Sequence, residues 1–275
     1  MGNPKFSALM CVYGKDDPQW FQAAVESIVN QTVQADESVL VVDGPVPEAL
    51  NAVIVQYESH DSFRILRLEV NQGLGNARRA GLKVCKNDLI VIMDADDLSV
   101  PDRFEKQLAM FAEHPDLDVV GGDITEFIGE PENIIGRRTV PECDDDIKQY
   151  MKTRCAMNHV TVMFKNSSLN KAGGYIDWYY NEDYYLWLRM MLAGMKFGNV
   201  PDVLVNVRVG EEMYQRRGGK KYFLSEAKLQ KYMLDNKVIG LGTYLINVTK
   251  RLIVQVLLTN KLRGWVFQKF ARKSV

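Results

Sequence analysis

Asp94-Ala95-Asp96-Asp97 places three carboxylates within four residues, directly after the apolar run Leu89-Ile90-Val91-Ile92-Met93. Such groups repel one another unless a cation sits among them. Hard oxygen donors suit Mg2+ or Mn2+, shared with waters and substrate phosphates. The cluster also fits an acidic turn opening a helix near Pro101, with Asp97 or Ser99 as its cap. Asp94 and Asp96, at the end of the run, are read as ligand or metal contacts. A second β-branched run, Val39-Leu40-Val41-Val42, ends in Asp43. An acid at a strand end can accept hydrogen bonds from a base or a ribose, or shape a turn. In an open α/β sheet, ligands bind outside the carboxyl ends of the strands.

Four further groups have two readings each. Asn71-Gln72-Gly73-Leu74-Gly75-Asn76-Ala77-Arg78 joins a strand to a helix, but Arg78 stands where a dinucleotide fingerprint needs its third glycine. The glycines permit a tight turn, and Arg78 is a phosphate or carboxylate partner. Asn181-Glu182-Asp183 opens a helix, where acids favour the dipole and a carboxylate can also act as general base. His159, one of three histidines, precedes a strand, and a lone histidine there is more often structural than a ligand. Arg208, Arg216 and Arg217 either clamp a diphosphate or form a solvated run.

These residues need a scaffold, and the first half supplies one by alternation. Strand patterns at 6–13, 38–43, 63–70, 88–94 and 119–127 are separated by helical patterns at 18–31, 49–58, 75–84 and 101–113. That order predicts βαβ units and a parallel sheet covered on both faces. Residues 129–146 read as a polar surface loop, 160–165 as a strand, 182–192 as a helix, and everything beyond about 220 as helical. Apolar residues at 47% and charged residues at 25% exclude whole-chain disorder. Four cysteines without a C-x-x-C pair signal neither a zinc ribbon nor a redox motif, and fit a reducing compartment. Neither a signal peptide nor a membrane-spanning run is expected. The net charge of −1 hides an asymmetry: eight of the 34 cations follow Asp235, the last acid, so residues 1–236 carry 26 cations against 35 anions. Residues 244–258 and 261–272 mix apolar side chains with these cations, which fits either an interfacial helix pair on an anionic membrane or a helical layer on the body. Nucleic-acid binding is not expected, because the one basic region is also apolar.

Taken together, the segments resemble the family 2 glycosyltransferases, inverting enzymes of the GT-A fold. Residues 6–13 with Gln31-Thr32 resemble the opening strand and S-x-x-x-Q-T helix of that family. Val41-Val42-Asp43-Gly44 resembles V-D-D-G-S with the second Asp missing. Residues 71–81 resemble N-x-G-x-x-x-A-R-N-x-G with Arg79 in place of Asn, and Asp94-Ala95-Asp96 resembles D-x-D. Pro101, Arg103 and Gln107 resemble Pro-x-Arg-x-x-x-Q. Gly173-Gly174-Tyr175 and Glu182-Asp183 resemble the G-G-[FY] and E-D segments.

The resemblance implies an α/β, Rossmann-like, mostly parallel sheet flanked by helices. Residues 1–100 would form the nucleotide-binding half and 101–219 the acceptor half, with 220–275 a basic amphipathic extension. It implies that Asp43, Arg78, Asp94, Ala95, Asp96, Arg216 and Arg217 contact a UDP-sugar, and that Asp96, with His159 as a further candidate, holds Mn2+ or Mg2+. Gly173, Gly174, Tyr175 and Glu182 would face the acceptor, and Asp183 would be the base. The implied reaction moves a hexose or N-acetylhexosamine to a glycan hydroxyl, carried on a polyprenyl diphosphate, in capsule, O-antigen or exopolysaccharide synthesis. The implied location is cytoplasmic, peripheral at the membrane. Two other readings remain: a nucleotide-sugar-binding partner without turnover, and a nicotinamide oxidoreductase.

Overall fold

The computed structural model describes residues 4–210 and 218–259, together with Leu262. Among them nine strands form one sheet: β1 Phe6–Tyr13, β2 Glu37–Asp43, β3 Phe63–Leu68, β4 Leu89–Met93, β5 Leu98–Ser99, β6 Val119–Phe127, β7 Ile134–Arg138, β8 Met163–Lys165 and β9 Phe197–Arg208. Their order is β3-β2-β1-β4-β8-β6-β9-β5, with β7 paired to β6. β3, β2, β1 and β4 run parallel, as do β6 and β9. β8 enters antiparallel between β4 and β6. The chain moves outward from β1 to β3, then returns to place β4 on the other side of β1. Ligand crevices form at such a reversal, beyond the strand carboxyl ends.

Period-two alternation along β1 divides the core. Phe6, Ala8, Met10 and Val12 pack on Phe21 and Val25 of α1 (Pro18–Val29) and on Phe104 and Leu108 of α4 (Arg103–Glu113). Leu9 turns to the opposite face, with Val39, Val41, and Ala77 and Leu82 of α3 (Leu74–Val84). Gly81 lets α3 lie close on the sheet: a Cβ there would stand 2.8 Å from Val41 Cγ2. β2, β4 and β6 are buried along their whole length, as expected for strands covered on both faces.

Two of the motifs are latches. Gln31 is 5% exposed. Its Nε2 donates to Ser27 O at 2.8 Å and Val100 O at 2.7 Å, and its Oε1 accepts from Phe104 N at 3.1 Å. The side chain thus caps α4 from the far end of α1. Arg103, wholly buried, donates to Ile92 O at 2.8 Å and to Gln107 Oε1 at 3.1 Å. Gln107 Nε2 continues to Val120 O and Thr161 O, both at 2.8 Å. These bonds fix the end of β4, where Asp94 begins. Gln31→Ala leaves a buried amide and carbonyls without partners, which costs about 2–3 kcal/mol. A fall in Tm of about 4–8 °C is expected in a thermal melt; an unchanged Tm would remove Gln31 from the scaffold.

Several expectations are corrected. Asp97 and Ser99 do not cap α4; Gln31 does. The stretch 129–146 is not one loop. It contains β7 and the start of α5 (Asp144–Tyr150), whose three acids occupy its first turn. The 12-residue β9 was not expected, because Pro201 and Asp202 interrupt its apolar run and its pairing with β6 shifts register at Gly122 and Asp123. The strand expected at 160–165 shortens to β8, preceded by a 3-10 turn and followed by the short helix α6 (Asn166–Lys171).

Beyond α7 (Glu182–Leu192) come α8 (Lys220–Asp235) and α9 (Leu241–Leu252), the latter continued by a π turn at Ile253–Leu257. These pack on the body. Leu229, Met233 and Ile239 join the core of Tyr184 and Trp187. Asn247 Nδ2 donates to Lys152 O at 2.9 Å, and Arg251 pairs with buried Glu226. The outward face exposes Leu241, Leu245, Ile246, Ile253 and Leu257. Most of the expected segment 261–272 lies outside the described residues. No helix among the described residues is long and apolar enough to cross a membrane.

Candidate active site

A cleft of about 1130 Å3 opens beyond β1 and β4, with Trp20, Asp94, Asp96, Tyr180, Arg208 and Tyr222 in its wall. That is large enough for a nucleotide-sized ligand. A second cavity of about 490 Å3 adjoins it and contains Asp94, Asp97, Arg138, His159, Tyr180 and Asp183. Asp94, Tyr180 and Tyr222 line both.

The acidic cluster divides its work by alternation. Asp94 receives a 2.7 Å hydrogen bond from Arg78 Nη2, and Arg78 is 5% exposed beneath it. Ala95 is buried in the core, and Asp96 is exposed in the larger cleft. Asp97 is buried and accepts from Arg208 N at 2.8 Å. Burial, with Asp96 and Asp94 alongside, holds the Asp97 carboxyl well above the usual carboxylate range. Arg208, at the end of β9, also donates to Asp96 O at 3.2 Å and stacks on the rings of Trp20 and Phe127, each at 4.7 Å. Burial of Arg103 lowers its guanidinium to about 9. Asp16, on the turn after β1, is pushed up to about 6 by burial, with Asp96 and Asp94 adding repulsion.

Asp183 sits on the first turn of α7, its Oδ1 accepting from Tyr184 N at 2.8 Å. Burial raises its pKa, against the pull of Arg78 and Arg138. Burial also raises Glu182, which lines neither cavity. His159 Nε2 meets the Tyr175 hydroxyl at 2.9 Å, and burial with nearby Arg78 drives the imidazole well below its ordinary value, so it is neutral. His159 and Asp96 do not share a cavity.

Other expected contact residues make hydrogen bonds within the fold. Asp43 is buried, and its two oxygens accept from Gln72 N at 2.7 Å and Gly73 N at 3.0 Å. Asn71 Nδ2 returns a bond to Asp43 O at 3.1 Å. Gly44, at φ +84°, lies so near that a Cβ would meet Asn71 N at 2.5 Å. The Asp43-Gly44 and Asn71-Gln72-Gly73 segments therefore lock each other. Gly173 and Gly174, both at positive φ, turn the chain after α6. Arg189 donates to Ala172 O at 2.5 Å and to Gly174 O at 2.6 Å. Tyr175 is 1% exposed, with Arg78 5.9 Å over its ring. None of these three lines either cavity. Arg216 and Arg217 lie outside the described residues. Asp16, Arg138, Tyr180 and Tyr222 were not foreseen. Only Asp16 left a trace, as an acid just past the first strand.

The strand order thus reverses where β4 runs into Asp94 and Asp96, and the buried Asp183 carboxylate lies in the adjoining cavity. The family model for glycosyl transferase family 2 matches residues 7–171. The chain is 36% identical over 270 residues to the Escherichia coli UDP-Gal:alpha-D-GlcNAc-diphosphoundecaprenol beta-1,3-galactosyltransferase, covering 98% of each chain. It is 38% identical to the amylovoran biosynthesis glycosyltransferase AmsE of Erwinia amylovora, over 90% of this chain and 94% of that one. The fold matches the crystal structure of S. aureus TarS 1-349 in complex with UDP-GlcNAc, with TM-score 0.66 and 15% identity, covering 96% of this chain and 79% of that one. The chain belongs to glycosyltransferase family 2. The nicotinamide reading is thereby set aside.

Proposed function

We propose that the protein transfers a hexose or N-acetylhexosamine from a UDP-sugar to a hydroxyl of a polyprenyl-diphosphate-linked glycan, with inversion, in surface-polysaccharide assembly. One observation carries this reading: the cleft holding Asp94 and Asp96 shares a wall with the cavity holding Asp183. Donor and acceptor can therefore meet at Asp94. The donor and acceptor named for the E. coli relative support the choice of substrates.

The chemistry follows from the environments. Asp183, its carboxyl raised by burial and so made a stronger base than an exposed aspartate, takes the proton of the acceptor hydroxyl. That oxygen attacks the anomeric carbon from the face opposite the diphosphate, the bond to the diphosphate oxygen breaks, and UDP leaves. Arg78 holds Asp94 in place, and Arg208 fixes the turn carrying Asp96 and Asp97. The donor set fits a divalent cation. Asp96 is exposed in the larger cleft with Asp94, and both lie close enough to Asp16 to raise its carboxyl, so hard oxygen donors gather there. Mg2+ or Mn2+ of this kind is held by one or two carboxylates together with the substrate's own phosphates. Asp96, with Asp94 beside it, would hold that ion, which when bound offsets charge on the departing UDP. His159 already has Tyr175 as its partner and is left out of this set.

The outward apolar face of α9 and its π turn, flanked by Lys250, supports peripheral contact with a membrane carrying the acceptor.

The test is UDP release from a panel of UDP-sugars, with Mn2+ or with EDTA, for wild type and Asp96→Ala. Metal-dependent release from one donor, reduced at least about 100-fold in the variant, is the expected result. No release and no UDP binding would overturn the proposal.

A further inference from the structure

Tyr180 stands out on four independent counts. Its φ is +54°, in the left-handed region that a side chain larger than glycine occupies only under constraint. It is 51% exposed despite its size. It lines both the larger cleft and the smaller cavity. It lies three residues before Asp183.

The constraint is visible. Asn181 N donates to Trp178 O at 3.1 Å, closing a turn with Tyr180 at its tip. One residue of α8, Ser225, holds that turn from three sides. Ser225 Oγ donates to Tyr179 O at 2.6 Å, Asn181 Nδ2 donates to Ser225 Oγ at 3.3 Å, and Trp178 Nε1 donates to Ser225 O at 3.3 Å. Trp178 and Asn181 are thereby anchored, and Tyr180 is pushed outward. Its ring stands edge-on to Tyr179 at 4.5 Å and to Tyr222 of α8 at 6.3 Å. Tyr222 lines the same two cavities. A folded chain that only needed the turn would place glycine or asparagine at such a position. A tyrosine held there presents a flat apolar ring to the junction of the two spaces.

We propose that Tyr180 is the platform for the acceptor's terminal sugar. Its ring, walled by Tyr222, takes the C–H face of the pyranose and so aims one hydroxyl at Asp183. This rests on the transfer reaction proposed above. The ring borders both spaces, and the acceptor is assigned rather than the donor because the turn carrying Tyr180 leads directly into the first turn of α7, which holds Asp183, the group that must reach the attacking hydroxyl. The ring would then set which sugars are accepted and which hydroxyl is used.

The experiment measures KM for both substrates in Tyr180→Gly and Tyr180→Phe, with UDP-galactose as donor and N-acetylglucosamine diphosphoundecaprenol as acceptor, beside a thermal melt. Tyr180→Gly removes the ring and also the backbone strain. Its acceptor KM is expected to rise about tenfold and its donor KM to change less than threefold, with Tm equal to or above wild type. Tyr180→Phe, which keeps the ring, is expected to stay within about twofold for both. A donor KM that rises as much as the acceptor KM, an acceptor KM unchanged in Tyr180→Gly, or a fall in Tm accompanying the loss would each overturn the assignment. Absence of transfer by the wild type, with UDP release intact, would overturn the acceptor reading and this inference while sparing the donor reading.

Discussion

Asp183→Asn is expected to slow glycosyl transfer by about 10²- to 10⁴-fold while leaving UDP-sugar binding in place. The amide keeps the Oδ1 that accepts from Tyr184 N, so the start of α7 is preserved. It has no basicity to receive the hydroxyl proton. The same substitution should not lower Tm. Burial raises the Asp183 carboxyl above 3.8, so the folded state favours its protonated form. A raised carboxyl contributes stability below its unfolded value and loses that contribution as pH rises through the folded value. Asparagine mimics the protonated form, so the variant gains relative to wild type above that window and gains nothing well below it. The wild-type rate runs the other way: kcat/KM falls as pH drops through the folded pKa of Asp183, at a higher pH than an exposed aspartate would set. Steady-state rates and melts across pH 4 to 8 check both limbs. A Tm at pH 7.5 well below wild type would show that the ionised carboxylate is a structural anion.

Arg78→Met carries the second large effect, and it acts on donor binding and stability together. The Arg78 guanidinium is buried, between Asp94 at 2.7 Å and the Tyr175 ring at 5.9 Å. Breaking a buried pair from one side typically costs about 3–5 kcal/mol. Here the Asp94 side chain is 35% exposed and partly solvated, so about 2 kcal/mol is expected. The loss at the site is larger. Asp94 would be left beside Asp96 and Asp97 with its nearest cation gone, and the cleft would turn against a diphosphate. UDP affinity measured by calorimetry is expected to fall at least about tenfold, the scale of one charge-assisted hydrogen bond. The double variant Arg78→Met with Asp94→Asn should recover part of the lost Tm, since the stranded charge is removed with its partner. Full UDP affinity in Arg78→Met would restrict Arg78 to a scaffold role.

The legible parts of this protein are those that local pattern dictates. Strands covered on both faces carry apolar runs, so β2 and β4 stood out. Acids directly after such runs marked Asp94 and Asp96. What could not be read depended on meetings between distant segments. Asp43 could be read as an acid at a strand end, but the bonds its carboxylate accepts from amides 29 and 30 residues away could not. Arg208 reaches Asp96 across 112 residues, by way of a strand that Pro201 and Asp202 disguised. The acids of α5 read as a loop because the dipole favours carboxylates at a helix start as water favours them in a turn. Nothing in the sequence signals that Tyr175 meets both Arg78 and His159, residues 97 and 16 positions before it.

The clamp on the 178–181 turn bears on how such enzymes diversify. Ser225 and the carbonyl it holds at Tyr179 are 46 residues apart in the chain. A recombination event that imported a new turn alone would part Tyr180 from the helix that sets its angle. One that imported α8 alone would present Tyr222 to a foreign loop. The two pieces form a single heritable cassette spanning roughly the last third of the protein, downstream of the crossover strands that hold the acids of the donor cleft. On the acceptor role proposed for Tyr180, exchange between relatives with a breakpoint before Trp178 would trade one acceptor preference for another while leaving Asp94 and Asp96 in place.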